Sequence, residues 1–335
     1  MNNFSPGTLL RRPEAGAFLG LVGMFVFFTI FGSVDFMKLT GAASWLNVAA
    51  NLGIVALPIG LLMIAGELDI SIGSMIPAGS MTVAIISGHY GLPIWLGIAA
   101  ALGVGVLIGL TNGILVIRTA VPSLIVTLGT LFAVAGLVLG LSVLVTGTTS
   151  VSLTAPEAAK LVFGHFVGGT FQVIIFWWLA VTAVYIYVVH YSPYGNWIFA
   201  MGGDKESARN AGIPTRRLTV VLFILSSVSA AFVGMCQAIL FNSAQVSAGM
   251  SFIFNSIISV VVGGVLLTGG FGSIVGIFFG TITFAVVNQG IYFTSFDRNW
   301  SSLIIGVMLL LAVLMNNTFR KMALSYSPRP KKGTK

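Results

Sequence analysis

The chain has 335 residues, of which 57% are hydrophobic and only 7% charged. An average soluble domain carries about 25% charged residues, so a chain this poor in charge cannot cover a water-facing surface and lipid must be its main solvent. The net charge of +8 would suggest nucleic acid on a soluble protein; here the basic residues mark one side of a membrane, and no nucleic acid is expected.

A spanning helix needs about 20 apolar residues. Ten stretches meet this requirement: 16–34, 46–66, 70–88, 93–117, 121–147, 171–191, 217–241, 253–268, 272–293 and 300–317. The expected fold is therefore all-α, a polytopic membrane protein of about ten transmembrane helices. Stretches 70–88 and 253–268 are the weakest and are expected to be short or broken. The first stretch follows Arg11-Arg12 as in a signal peptide but lacks a small-x-small cleavage site, and is read as a retained anchor.

Short loops rich in Lys and Arg stay in the cytoplasm. With the N-terminus inside and strict alternation, the inside segments hold Arg11, Arg12, Arg118, Lys205, Arg209, Arg216, Arg217, Arg320, Lys321, Arg329, Lys331, Lys332 and Lys335. The outside segments hold only Lys38, Lys160 and Arg298. Both termini are thus expected in the cytoplasm. The domain reading is a cytoplasmic segment over 1–15, one transmembrane domain over 16–317 with a long inside loop at 192–216, and a basic cytoplasmic tail over 318–335.

Two glycine stripes stand at four-residue spacing, Gly105, Gly109 and Gly113 in span four and Gly272, Gly276 and Gly280 in span nine. They mark either close helix packing or an inverted repeat of spans 2–5 on spans 7–10.

Three groups of residues are candidates for function. In the inside loop, Asp204 is a good N-cap, residues 205–211 suit a helix, Gly212 can take a left-handed C-terminal position, and Pro214 stops continuation. The product is a two-turn capped helix, with Ala208 and Ala211 expected on one small face and Lys205 and Arg209 on a neighbouring one. It is either a stable connector or a docking element for a cytoplasmic partner. At the inside turn before span three stand Glu67 and Asp69. Asp69, with Ser71, fits a cap for span three; the functional alternatives are a cation or proton site or a gate. Glu67 has no capping role. Within the spans, Asn47, Asn51, Thr111, Asn112, Asn255, Ser256, Ser259, Asn288 and Gln289 must face protein or water. Of these, Asn51, Asn112, Asn255, Ser259 and Asn288 are the candidates for a path taken by a neutral, hydroxyl-rich solute; interhelical hydrogen bonding accounts for each equally well.

Nothing in the chain looks catalytic. It contains no G-x-x-x-x-G-K-[ST], H-E-x-x-H or G-x-S-x-G motif and no row of arginines. Cys236 is single and apolar in setting, and His89, His165 and His190 lie far apart, so no metal ligands and no cofactor are expected. Deep carboxylates are nearly absent, which argues against a proton-coupled carrier. An intramembrane enzyme would need a nucleophile and base at membrane depth, and a scaffold would leave the polar residues in the spans unexplained.

Four segments, in order, carry a resemblance. They are Gly53-Ile54-Val55-Ala56-Leu57-Pro58 running on to Gly66-Glu67-Leu68-Asp69-Ile70-Ser71-Ile72-Gly73-Ser74; Pro122-Ser123-Leu124-Ile125-Val126-Thr127-Leu128-Gly129-Thr130; the loop Gly195 to Ile213, with Gly203, Ala208, Gly212 and Ile213; and Val262-Gly263-Gly264 with Gly269-Gly270-Phe271-Gly272-Ser273-Ile274-Val275-Gly276. From about residue 45 to 315 the chain resembles the permease subunits of bacterial carbohydrate ABC importers, which include the ribose, xylose, arabinose and autoinducer-2 permeases. Glu67 stands where such permeases commonly have glycine.

The resemblance implies one half of a dimeric pore, paired with a second copy or a sister chain in the bacterial inner membrane. It implies a cytoplasmic ATP-binding subunit, with Asp204, Lys205, Glu206, Ala208, Arg209, Ala211, Gly212 and Ile213 as the coupling helix seated on it. A periplasmic sugar-binding protein would deliver the solute, and ATP binding would switch the pore between outward- and inward-facing states.

Overall fold

The computed structural model describes residues 13–119, 121–300, 302–311 and 313–314. The expected basic tail, and all but the last three residues of the expected N-terminal segment, lie outside the described residues. Helices dominate. Those that build the bundle are α1 (Pro13–Phe31), α2 (Leu39–Ile64), α3 (Ile72–Val83), α4 (Ile94–Arg118), α5 (Ser123–Thr146), α7 (Ile174–Tyr191), α10 (Thr215–Phe241), α11 (Met250–Val262) and α12 (Ile274–Gly290). Three short helices, α6 (Glu157–Phe163), α8 (Pro193–Gly203) and α9 (Lys205–Asn210), lie in the connections. A last apolar helix, α13, covers Ser302–Leu311.

Seven of the described helices are long and apolar enough to cross a membrane. Each of the ten apolar stretches overlaps a helix. The two weakest are shorter than the seven span-length helices: α3 has 12 residues and continues as a π-turn over Ala84–His89, and α11 has 13. The reason lies in the sequence. Asp69 and Ser71 cannot join an apolar run on the near side of α3, and Gly263-Gly264 ends α11, Gly264 adopting a left-handed φ of 90°. The non-helical exceptions are two antiparallel ribbons. Strand β1 (Ser150–Ser152) pairs with β4 (Ser243–Gln245), and β2 (Phe166–Val167) with β3 (Phe171–Gln172).

Helix α2 is the post of the bundle. Every residue from Leu52 to Ile64 is buried, and the helix packs against α7, α10, α11 and α12. A helix apolar on all sides has no preferred face and must be enclosed by others. Gly53 leaves room for the indole of Trp178 on α7, which stacks on Phe278 of α12 with ring centroids 4.5 Å apart. A second apolar cluster joins α1 and α13 to the post through Met24, Phe28, Phe36, Phe284 and Met308. Cys236 is buried in the main core.

The glycine stripes are packing surfaces. Cβ atoms at Gly105, Gly109 and Gly113 would run into Val228, Ile224 and Val220 along α10. Gly276 and Gly280 bring α12 against Gly263 and Ser259 at the end of α11, whereas Gly272 precedes the helix. The pairings are reciprocal: α4 lies along α10 and α12 along α2, while α3 lies on α10 and α11 on α2. Two short helices in matching positions of two interlocked halves are what an inverted repeat produces.

A substitution pair tests the stripe. Gly109→Leu would force its side chain into the α10 backbone, the Ile224 Cα being 2.5 Å from a Cβ at this position, and overpacking of this kind destabilises by about 1–3 kcal/mol. Gly103→Leu, where nothing lies within 4 Å, should be neutral. Thermal unfolding of the detergent-solubilised protein should separate the two by several degrees.

Candidate functional site

A cavity of about 250 Å³ opens beside the first half of α2. Its polar lining comes from Asn47 and Asn51 on α2, Gln172 on β3, Gln237 on α10, Asn255 on α11 and Asn288 on α12. The apolar lining includes Phe241, Phe252 and Phe284. Asn47 and Asn51 are one turn apart and so share a face; Phe284 and Asn288 do the same on α12.

The amides are held in place by one another. Asn47 Nδ2 donates to the Thr170 carbonyl at 3.0 Å and its Oδ1 accepts from the Gln172 N–H at 2.8 Å. That pair of bonds clips the β2–β3 turn onto α2. Asn51 Nδ2 donates to Gln172 Oε1 at 2.9 Å, and Asn51 Oδ1 accepts from Gln237 Nε2 at 3.3 Å. Each carboxamide can both donate and accept, and none of the lining residues is charged. The arrangement can match hydroxyl groups of a small neutral solute, with phenyl rings to cover its apolar faces.

Of the five residues expected on a solute path, Asn51, Asn255 and Asn288 line this cavity. Asn112 and Ser259 do not. Asn112 is fully buried on α4, where its Nδ2 donates to Ser71 Oγ at 2.9 Å and its Oδ1 accepts from Thr130 at 2.6 Å. Ser259 is fully buried and spends its hydroxyl on the Asn255 carbonyl one turn back, at 2.7 Å. Gln172 and Gln237 were not among the expected residues. Gln237 left a signal, an amide alone in an apolar run; Gln172 left less of one, since it stands at the very edge of the stretch 171–191, where a polar residue is ordinary.

Asn112 belongs to a second polar site, beneath α3. Asp69 is fully buried; its Oδ1 accepts from the Ser71 N–H at 2.9 Å and from the Ser71 hydroxyl at 2.6 Å. The carboxylate thus closes the turn ahead of α3, and the Ser71 side chain makes no bond to the first turn of the helix. The same turn is bracketed from α5, where Ser123 Oγ accepts from the Leu68 N–H at 3.1 Å and Thr127 Oγ1 from the Ile70 N–H at 3.3 Å. The first two of the four sequence motifs are therefore two sides of one contact.

The other two motifs meet at the far end of α2. Helix α2 closes with Gly66 at a left-handed φ of 82°; Gly66 N–H donates to Met63 and Glu67 N–H to Leu62, a Schellman ending. The Ile64 carbonyl accepts from the Gly270 N–H at 2.8 Å, and a Cβ on Gly202 would collide with that carbonyl. Residues just ahead of α9 and residues 269–270 thus pack on the end of the central helix through bare backbone.

Helix α9 is capped at both ends, as its residues require. Asp204 accepts from the Ser207 N–H at 2.6 Å, and the Ser207 hydroxyl together with that N–H holds its carboxyl below the usual carboxylate range. The cap is accordingly present at neutral pH and is lost as pH falls through the depressed value. Gly212, at φ 87°, donates to Arg209 while Ile213 donates to Ala208, a second Schellman ending. Ala208 and Ala211 do not share an outward face: Ala208 is buried against the bundle and Ala211 is exposed, because the Schellman ending folds Ile213 back over Ala208. Glu206 and Arg209 are exposed and 3.6 Å apart. Lys205 reaches back to pair with Glu67.

The family described as "branched-chain amino acid transport system / permease component" matches residues 41–313. The chain belongs to that permease family. It is 30% identical to the fructose import permease protein of Rhizobium meliloti over 285 residues, 83% of this chain and 78% of the relative. It is 28% identical to the ribose import permease protein of Escherichia coli over 290 residues, covering 85% and 88%. An inner membrane ABC transporter permease protein of Escherichia coli is 28% identical over 301 residues, covering 88% and 89%. No solved structure matches. The resemblance carried by the four motifs holds: this permease is a multi-pass protein of the inner membrane and a transport subunit, not an enzyme.

The network under α3 sets an expectation. Asn112→Leu would remove the bond it gives to the buried Ser71 hydroxyl and the one it takes from the part-buried Thr130 hydroxyl, each hydroxyl keeping its other bond, and loss of such bonds destabilises by about 0.5–1.5 kcal/mol apiece. Thermal unfolding should fall clearly for this variant, while Thr111→Leu, an exposed neighbour whose hydroxyl bonds only to the Leu107 carbonyl, should match wild type.

Proposed function

We propose that this permease forms half of the pore of an ATP-driven, binding-protein-dependent importer of a sugar or sugar-like solute. The observation that carries the reading is the cavity beside α2, walled by amides and phenyl rings and free of charged side chains. Amides offer donors and acceptors to hydroxyl groups without favouring an ion. A proton-coupled carrier would need a titratable group in that wall. The names of the fructose and ribose relatives point to the same solute class.

On this reading residues 16–317 form a single domain of ten spans with both termini in the cytoplasm. The cavity then faces the periplasm, where a sugar-binding protein docks, and α9 faces the cytoplasm. Helix α9 is the coupling helix of the ATP-binding subunit. Its outward residues Glu206, Arg209, Ala211 and Gly212 meet that subunit, while Asp204, Ala208 and Ile213 hold its shape and seat. Rigid ends suit it to pass on force, and alternating access follows as the ATPases close. A second permease chain, identical or a sister, completes the pore. The face of α5 with Gly129, Gly136 and Gly140 has open space beside each glycine and suits close approach of another helix.

Uptake of a panel of radiolabelled pentoses, hexoses and polyols should require this chain, its ATPase and its binding protein together. Asn51→Leu should cut uptake by about tenfold, the scale of losing well-placed polar contacts worth roughly 1.4 kcal/mol, at unchanged membrane level. Gly212→Val, strained at its positive φ, should abolish uptake without preventing insertion. Uptake by this chain alone, lost when the proton gradient collapses, would overturn the reading.

A further inference from the structure

The one long-range ion pair among the described residues joins Glu67 to Lys205, 138 positions apart in the chain. The other two, Lys38–Asp35 and Arg209–Glu206, each link residues three apart and are largely exposed. Here the carboxylate side chain is 10% exposed and the ammonium side chain 42%, so solvent screens this pair less than a surface pair.

Both charges stand on backbone that is already fixed. Glu67 is the third residue past the end of α2, and its N–H closes the Schellman ending on Leu62. Lys205 is the first residue of α9, directly after the Asp204 cap. Beside the pair, Gly202 lies on the Ile64 carbonyl and Gly270 bonds to it. The end of the central helix and the start of α9 are thus joined twice, once by close backbone packing and once by opposite charges.

Backbone packing of this kind resists compression but not separation. The ion pair adds what it lacks, an attraction that opposes pulling apart. Helix α2 then runs on for about 20 Å, at 1.5 Å per residue from Ile64 back to Asn51, to the amides of the cavity.

We propose that Glu67 is a positioning residue for energy coupling: its ion pair with Lys205 braces α9 against the end of α2, so that movement of α9 in either direction reaches the helix that walls the cavity. The inference rests on α9 being the ATPase contact, and it takes Lys205 out of that contact and turns it inward.

The test uses the full importer, permease with its ATPase and binding protein, reconstituted in proteoliposomes. The readout is the ratio of ATP hydrolysis with and without the binding protein, together with co-purification of the ATPase. Glu67→Gln and Lys205→Met should each retain the ATPase but lower the ratio about fivefold, in line with loss of one partly shielded ion pair. The exchange Glu67→Lys with Lys205→Glu should restore most of it. An unchanged ratio in Lys205→Met, whose site is partly exposed and tolerant of the change, overturns the proposal even if Glu67→Gln fails to accumulate. So does an exchange that restores nothing. A normal ratio in Gly212→Val, or a wild-type permease that does not co-purify with the ATPase, would instead remove the coupling role of α9 itself.

Discussion

Enclosure of α2 on every side from Leu52 to Ile64 is the constraint from which the other features of this protein follow. A helix with no lipid-facing surface must meet its neighbours around its whole circumference, and they can come close only where side chains are small. Gly53 makes way for Trp178, and Gly276 and Gly280 draw the adjoining helices α11 and α12 together. An unpaired polar group is costly in so dry a setting. Asn47 and Asn51 therefore face the amides of Gln172 and Gln237, and the charges nearest along the chain, Lys38 and Glu67, stand outside the helix at its two ends.

The four motifs gain meaning from the same geometry. Those around residues 66–74 and 122–130 meet as a turn bracketed by hydroxyl groups, with Ser123 and Thr127 holding backbone that Asp69 folds. Those around 195–213 and 262–276 meet at the Ile64 carbonyl, where glycine backbone replaces side chains. A shared family pattern here is a pattern of junctions. The residues of the cavity wall all lie outside it.

Much of the fold was legible in the sequence because lipid imposes length. Every apolar stretch overlaps a helix, and the two weakest form helices shorter than the seven of span length. The capped helix α9 was legible because caps are local chemistry: Asp204, Gly212 and Pro214 act within a few residues. The cavity was only half legible. Polarity inside a span says that a residue faces protein or water, but not which. Asn112 and Ser259 satisfy other protein groups, while Asn51 meets Gln172 and Gln237 at separations of 121 and 186 residues, beyond any local pattern. Glu67 looked purposeless for the same reason, since its partner lies in another loop. The two alanines of α9 misled because helical spacing alone gave them one face, and the ending over Ile213 decides which of them is covered.

The length of α2 has a consequence for how such a protein can diversify. The residues that touch the cavity and those that receive α9 share one helix but lie several turns apart, with a fully apolar stretch from Leu52 to Ile64 between them. Changes at that distance combine almost additively. Mutations near Asn51 can therefore retune the wall while the junction at Ile64 stays intact, and a charge can be gained at position 67 without disturbing the wall. If the cavity holds the cargo and α9 meets the motor, as proposed, selection for a new cargo and selection for a different motor partner act on opposite ends of a single rod, and neither has to wait for the other.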